Sequence, residues 1–210
     1  MPASGRIVVL NGAPRAGKSS IVAALQARED AIWLNLGVDV FAQATPERLR
    51  PGIGLRPGAE LPEVAAAVPR LYAALYEAVA AASRLGLDVV VDVGHHAESG
   101  AAPGILADCA RRLAGLPAYL VGVRAPLATV MQRRRAIHPG REGLYAAAAE
   151  GEPVPEPVLA WQRAAHEPGI YDLELDTSVL GPEACAGAVL GRLADPTPPT
   201  AFARLAADGC

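Results

Sequence analysis

The sequence is short of aromatic residues, which make up 4% of it, and its 19 Lys and Arg are outnumbered by 22 Asp and Glu. With few aromatics and much alanine, tight helix packing is favoured over aromatic stacking. Without a basic stripe there is nothing to hold a phosphate backbone, so nucleic acid is excluded as an expected partner. The three cysteines, Cys109, Cys185 and Cys210, are scattered and odd in number. They fit neither a disulfide framework nor a metal-ligand set and are read as buried or incidental thiols. No apolar run reads as long enough to cross a bilayer, and the N-terminus does not read as a signal peptide, since a polar lead runs straight into Arg6–Leu10. A cytoplasmic protein with no membrane association is expected.

What is present suits one folded domain. The 210 residues are 51% hydrophobic and 20% charged, with a net charge of −3, enough for a substantial core. Five apolar stretches read as strands: Arg6–Asn11, Ile32–Leu36, Asp88–Val93, Ala118–Val123 and Tyr171–Leu175. Most are continuous rather than alternating, as in strands covered on both faces, which predicts a parallel sheet. Helices are predicted over Lys18–Ala27, Leu61–Leu85, Ile105–Leu113, Leu127–Ile137 and Pro182–Ala194, with Gly86 as a C-cap and Pro126 at a helix start. The alternation predicts a doubly wound α/β fold spanning residues 1–194. Thr45–Pro62, with four prolines and three glycines, and Pro139–Pro157 read as mobile loops of the kind that form lids or substrate walls. The Pro-Thr-Pro-Pro-Thr stretch makes residues 195–210 a loosely attached tail.

The strongest chemical signal is Gly12-Ala13-Pro14-Arg15-Ala16-Gly17-Lys18-Ser19, followed by Ser20. It matches G-x-x-x-x-G-K-[ST] at every fixed position, after a strand and at the start of a helix. Backbone N–H groups of such a loop turn inward on phosphate oxygens, and the helix N-terminus adds partial positive charge. Lys18 is expected to reach the β- and γ-phosphates of ATP, and the Ser19 hydroxyl to ligate Mg²⁺. Val89-Val90-Val91-Asp92 is an apolar strand ending in a carboxylate, and Asp92 is the second candidate for holding Mg²⁺, through water.

Binding a nucleoside triphosphate leaves the fate of its phosphate open. No N-K-x-D element of the guanine-reading switches follows a later strand. Gly37-Val38-Asp39 follows the second strand, at an end that faces the phosphate loop in an open α/β sheet. A carboxylate there, Asp39, can orient an acceptor hydroxyl and take its proton. Arg133, Arg134 and Arg135 close a helix and lead into the loop that holds Arg141. Arg133, Arg135 or Arg141 is expected to cover the transferring phosphoryl group. The solvated, dipole-favoured helix end is the other reading of such a triplet.

These pieces resemble the chloramphenicol phosphotransferase-like group of P-loop small-molecule kinases. The resemblance runs from Ile7 to Ser178. It is carried by Val9-Leu10-Asn11-Gly12 with the phosphate loop, Trp33–Asp39, Val90-Val91-Asp92, Val121–Arg124, and His166 with Tyr171–Thr177. It implies a fold like that of nucleoside-monophosphate and shikimate kinases, with a five-stranded parallel sheet. It implies transfer of the ATP γ-phosphoryl group to a small hydroxylated acceptor, with Asp39 as base. It also implies an ATP-side role for Asp176 and Thr177. The chain departs from the family type at Val93, where a second carboxylate is usual, at Gly94-His95-His96, and in the lid region.

Other residues leave alternatives open. His95 and His96 are adjacent and make a poor metal pair, though one can bond an acceptor. His166 reads as an anchor for the last strand, and Arg15 as facing solvent or a phosphate oxygen. Trp33 and Trp161 read as core, or as walls of an apolar acceptor pocket. A kinase of nucleotides, gluconate or adenylylsulfate survives as a rival, because Arg48, Arg50, Arg56 and Arg70 could meet an anionic acceptor. A non-catalytic nucleotide-binding protein is the rival of a different class, in which Asp39 is a structural cap.

Overall fold

The computed structural model describes residues 3–28, 31–49, 62–95, 104–136, 148 and 151–207. Five parallel strands, β1 (Ile7–Asn11), β2 (Trp33–Asn35), β3 (Asp88–Val93), β4 (Ala118–Arg124) and β5 (Leu173–Asp176), form one sheet in the order β2-β3-β1-β4-β5. The helices are α1 (Lys18–Gln26), α2 (Val38–Gln43), α3 (Pro62–Arg84), α4 (Ile105–Arg112), α5 (Leu127–Arg135), α6 (Glu156–Ala164), α7 (Pro182–Ala194) and α8 (Ala201–Ala207). This is the doubly wound α/β architecture expected.

The continuous apolar runs are explained by the layers. β1 lies at the centre with every residue buried. Its Ile7 and Val9 face the cluster built with α3, α4 and α8, while Val8 and Leu10 face the one built with α1 and α7. Covering both faces of a strand removes any reason for polar alternation. Each of these side chains contributes about 1.5–3 kcal/mol by leaving water. The register matters for function. Asn11 pairs with Val93 of β3 and with Gly122 of β4, so β1 and β3 end at one level while β4 runs on to Arg124. The chain reverses direction of winding there, which opens the crevice in which α/β proteins bind ligands.

Helix α3 ends as expected. Gly86 takes φ 88°, the Leu87 N–H reaches the Ala82 carbonyl at 3.2 Å and the Gly86 N–H reaches Ser83 at 2.8 Å, the paired bonds of a Schellman cap. The expectation that no segment has the length to cross a membrane needs correcting. Val64–Arg84 is long and apolar enough, at mean hydropathy 1.2. It carries Leu75, Tyr76, Val79 and Ala80 into the core beside the sheet, as a core helix does.

Two further corrections concern segments expected to be loops or tail. Residues 156–157, placed in a loop, begin α6, and residues 47–49 form a 3-10 turn behind the buried Thr45. The tail from residue 195 is not loose throughout. Helix α8 buries Ala201, Phe202 and Leu205 in the main core. Its first N–H groups are capped from afar, since the Asp172 carboxylate accepts from Thr200 and Ala201 at 2.7 and 3.1 Å. Within the predicted loops, residues 50–61, 139–147, 149 and 150, with Arg50, Arg56 and Arg141, lie outside the described residues, as do His96 and Cys210.

Candidate active site

The phosphate loop leaves β1 where no larger residue than glycine fits. A Cβ on Gly12 would stand 2.3 Å from the Val123 carbonyl oxygen of β4. The loop then turns through two left-handed residues, Arg15 at φ 72° and Gly17 at φ 104°. For arginine that conformation costs on the order of 1–3 kcal/mol, and the surroundings offset it. The Arg15 guanidinium donates to the Arg133 carbonyl, through Nε at 3.2 Å and also through Nη2. Arg133 answers with Nη1 to the Arg15 carbonyl at 3.3 Å. It also holds the Thr177 hydroxyl at 2.9 Å and the Thr177 carbonyl at 2.7 Å. Thr177 closes the ring by donating to the Ala16 carbonyl at 2.6 Å.

Arg15 is thus tied to the end of α5, and Arg133 braces the loop between Arg15 and Thr177. Arg135 donates Nε to the Ala148 carbonyl at 2.8 Å and ties α5 to the segment beyond it. Asp176 is exposed and caps its own turn, accepting from the Ser178 N–H at 2.8 Å and hydroxyl at 2.6 Å. Those two bonds hold its carboxyl below the usual range.

Inside the loop, Lys18 Nζ donates to the Gly12 and Ala13 carbonyls at 2.7 and 3.0 Å. Burial lowers its pKa to about 8, against the opposing pull of Asp92 and then Asp39. The Ser19 hydroxyl donates to Asp92 Oδ2 at 2.9 Å, although 73 residues separate them. A hydroxyl and a carboxylate oxygen converging beside a phosphate loop are hard oxygen donors, which suit Mg²⁺. Ser20 is exposed on the first turn of α1.

Asp39 arrives in the same place through Gly37. Gly37 lies so close under Asp92 that a Cβ would stand 1.8 Å from Oδ1. Its N–H is held by Asn35 Oδ1 at 2.9 Å. Helix α2 starts at the next residue, and Asp39 lies in its first turn, half-buried, with its charge felt at Lys18. The structure thus brings Lys18, Ser19, Asp92 and Asp39 to one end of the sheet.

Because nucleotide phosphates favour the charged form of Lys18, its pKa must rise on binding. ATP binding is therefore expected to take up a proton above pH 8, and affinity to fall as pH rises through 8 towards the higher bound value, by about tenfold per unit. Calorimetry in buffers of different ionisation enthalpy checks this; equal apparent enthalpies at pH 8.5 would contradict it.

Behind the loop lies a polar cluster. His95 is buried, with its ring bonded to the Tyr76 hydroxyl and its centroid 5.2 Å from that of Tyr72, the two planes tilted by 53°. It is a core histidine, not an exposed loop group. His166 Nδ1 lies 2.9 Å from the Tyr171 hydroxyl. Burial and then the Arg124 charge lower its pKa to about 4, so it is neutral near pH 7, in the anchoring position expected. Trp33 is core, under the Arg6 guanidinium. Trp161 instead lies on Gly94, its ring atoms 2.9 and 3.2 Å from where a Cβ would be. Cys109 and Cys185 are buried thiols. Asn11 and Asn35 were invisible as site residues in the sequence; their only signal was a polar side chain inside or at the end of an apolar strand.

No curated protein sequence matches the chain significantly. Solved structures share its fold. The adenylylsulfate (APS) kinase of Mycobacterium tuberculosis, solved with AMPPNP and APS, is 18% identical at a TM-score of 0.63, covering 92% of this chain and 100% of that one. The tunicamycin resistance protein of Deinococcus radiodurans is 19% identical at 0.57, covering 93% and 99%. The shikimate kinase of Acinetobacter baumannii, solved with shikimate, is 13% identical at 0.55, covering 90% and 92%. The sequence model of the chloramphenicol phosphotransferase-like proteins matches residues 5–194. With that match over nearly the whole chain and a P-loop kinase fold around Lys18, Ser19 and Asp92, this protein belongs to the chloramphenicol phosphotransferase-like family, a group of small-molecule phosphotransferases.

Proposed function

We propose that the chain transfers the γ-phosphoryl group of ATP to a hydroxyl of a small, largely apolar molecule in the cytoplasm. The observation that carries this reading is the close approach of Gly37 to Asp92, which sets the helix bearing Asp39 against the Ser19–Asp92 pair. A motor or switch has no need of a carboxylate at that point. A kinase needs one to align its acceptor.

In this reading the loop amides and Lys18 bind the β- and γ-phosphates, and Lys18 leaves its carbonyl partners to do so. Ser19 and Asp92 would hold Mg²⁺, which when bound would neutralise phosphate charge. The acceptor oxygen forms a new bond to the γ-phosphorus as the bond to the β-phosphate oxygen breaks and ADP leaves. The acceptor proton passes to the Asp39 carboxylate.

Support for an apolar acceptor comes from the helix that carries Asp39. Its Val38, Phe41 and Ala42 line a small cleft with Thr45, Val68, Leu71, Tyr72 and Leu75. No charged side chain is among these described lining residues. Of the arginines that kept an anionic acceptor open, Arg48 and Arg70 are exposed. Chloramphenicol is one candidate of this chemistry. The test is a panel of uncharged hydroxylated antibiotics, sugars and nucleosides set against phosphorylated and sulfated acceptors. Stimulated ADP release is expected from uncharged, partly apolar alcohols. Stimulation by the anionic compounds alone would favour the adenylylsulfate-type rival, and stimulation by none would favour a non-catalytic nucleotide-binding protein.

A further inference from the structure

Asn11 is the last residue of β1, directly before Gly12, and only 1% of it is exposed. A buried amide must find partners for both its ends, and those it finds belong to three different segments. Its Oδ1 accepts from the His95 N–H at 2.7 Å, which fixes the segment leaving β3. Its Nδ2 donates to the Ala165 carbonyl at 2.8 Å and to the Tyr171 hydroxyl at 3.2 Å, with the His95 carbonyl at 3.4 Å. Ala165 is the cap of α6, and its N–H closes the last turn on the Trp161 carbonyl at 3.0 Å. One side-chain amide thus holds both partners of a contact it does not touch: Gly94, next to His95, and Trp161, one turn before Ala165. That contact stands beside Gly12, the first residue of the phosphate loop. The position of a Gly94 Cβ is 3.5 Å from the Gly12 carbonyl oxygen, which also holds Lys18.

We propose that Asn11 is a positioning residue for phosphoryl transfer: by clamping the end of α6 to the segment after β3, it seats Trp161 on Gly94 and closes the flank of the phosphate loop beside Lys18. The kinetic part of this rests on the kinase reading; the seating of Trp161 does not. Removing the clamp lets water reach the Lys18 side of the crevice. ADP release then uncouples from acceptor phosphorylation, while the loop amides still bind nucleotide.

Asn11→Asp is the informative variant, because it keeps the acceptor for His95 and removes the donors to Ala165 and Tyr171. Gly94→Ala reaches the same contact from the other side, placing a Cβ 2.9 Å from Trp161 Cζ3. In a Trp33→Phe background, both variants are expected to raise acrylamide quenching of Trp161 about threefold. They are expected to lower the ratio of phosphorylated acceptor to ADP by about tenfold, with AMPPNP affinity within about threefold of wild type. A merely structural asparagine would lower the melting temperature without moving that ratio. Unchanged quenching in Asn11→Asp, or a loss of AMPPNP affinity as large as the loss of coupling, would overturn the proposal. Should neither variant fold, hydrogen exchange on the wild-type protein decides. Amides of residues 94–95 and 161–166 should gain protection together with 12–19 when AMPPNP binds, and gains confined to 12–19 would overturn it. If the quenching and exchange results hold and no acceptor is ever phosphorylated, the kinase reading fails while the seating role of Asn11 stands.

Discussion

Replacing Asp39 by Asn is expected to lower acceptor phosphorylation by about 10²–10⁴-fold while ATP binds as tightly as before or slightly tighter. Asparagine keeps the shape of the side chain and its place in the first turn of α2. What it loses is the lone-pair basicity that takes the acceptor proton. The stability cost is small, since an acid in a first turn contributes about 0.3–1 kcal/mol through the helix dipole. Nucleotide affinity is protected for a separate reason. Asp39 raises the pKa of Lys18 only as a secondary influence, after Asp92. With that pKa at about 8, Lys18 stays largely protonated at pH 7 even if it drifts lower. Removing a negative charge near the phosphate loop also reduces repulsion of the triphosphate. A loss of activity smaller than about threefold would mean that Asp39 only shapes the start of α2.

Gly37→Ala should damage the site as badly by a purely steric route. The backbone at Gly37, φ −59° and ψ 158°, is open to any residue, so conformation is not the obstacle. The obstacle is the Asp92 carboxylate, 1.8 Å from the new methyl carbon at Oδ1 and 3.0 Å at Cγ. Either Asp92 rotates away from Ser19, or α2 moves and carries Asp39 with it. Both outcomes separate groups that must act together. The Mg²⁺ concentration for half-maximal rate is expected to rise about tenfold and kcat to fall about 10²-fold. Overpacking should cost about 1–3 kcal/mol of stability besides. Gly187→Ala is the matched control, because a methyl group there meets nothing within 4 Å in the middle of α7. It should leave both kinetic constants alone and stabilise the helix by about 0.5–1 kcal/mol. Normal Mg²⁺ dependence in Gly37→Ala would separate Asp92 from the metal.

The parts of this molecule that were legible in the sequence are those whose physics is local. A phosphate loop needs its glycines, lysine and hydroxyl contiguous, so Gly12–Ser19 announces itself. Strands buried on both faces are continuous apolar runs, so β1, β3 and β4 could be placed to within a residue. What escaped was decided by distant partners. Helix α2 opens Val38-Asp39-Val40-Phe41, a sequence as fit for a strand, and becomes helical where Val38 and Phe41 pack against the core. Helix α6 hides behind Pro153, Pro155 and Pro157, which read as loop until the last two prove to sit at a helix start, where a missing N–H costs little. Helix α8 receives its cap from Asp172, 28 residues away from Thr200. The arginine contacts were hidden in the sequence for the same reason. Arg133 reaches Arg15, 118 residues away, and Thr177, 44 residues away. No local pattern distinguishes such a brace from a lid.

In the proposed reaction the phosphate loop presents ATP to a hydroxyl held near Asp39. That reaction is tested most directly by incubating the wild-type protein and Asp39→Asn with ATP, Mg²⁺ and an uncharged hydroxylated acceptor, and measuring ADP and O-phosphorylated acceptor together by mass spectrometry. Equal amounts of the two products are expected from wild type, and at least about 10²-fold less of each from Asp39→Asn even though it still binds ATP. ADP formed at the same rate with and without every acceptor, and unchanged by Asp39→Asn, would contradict the proposed reaction.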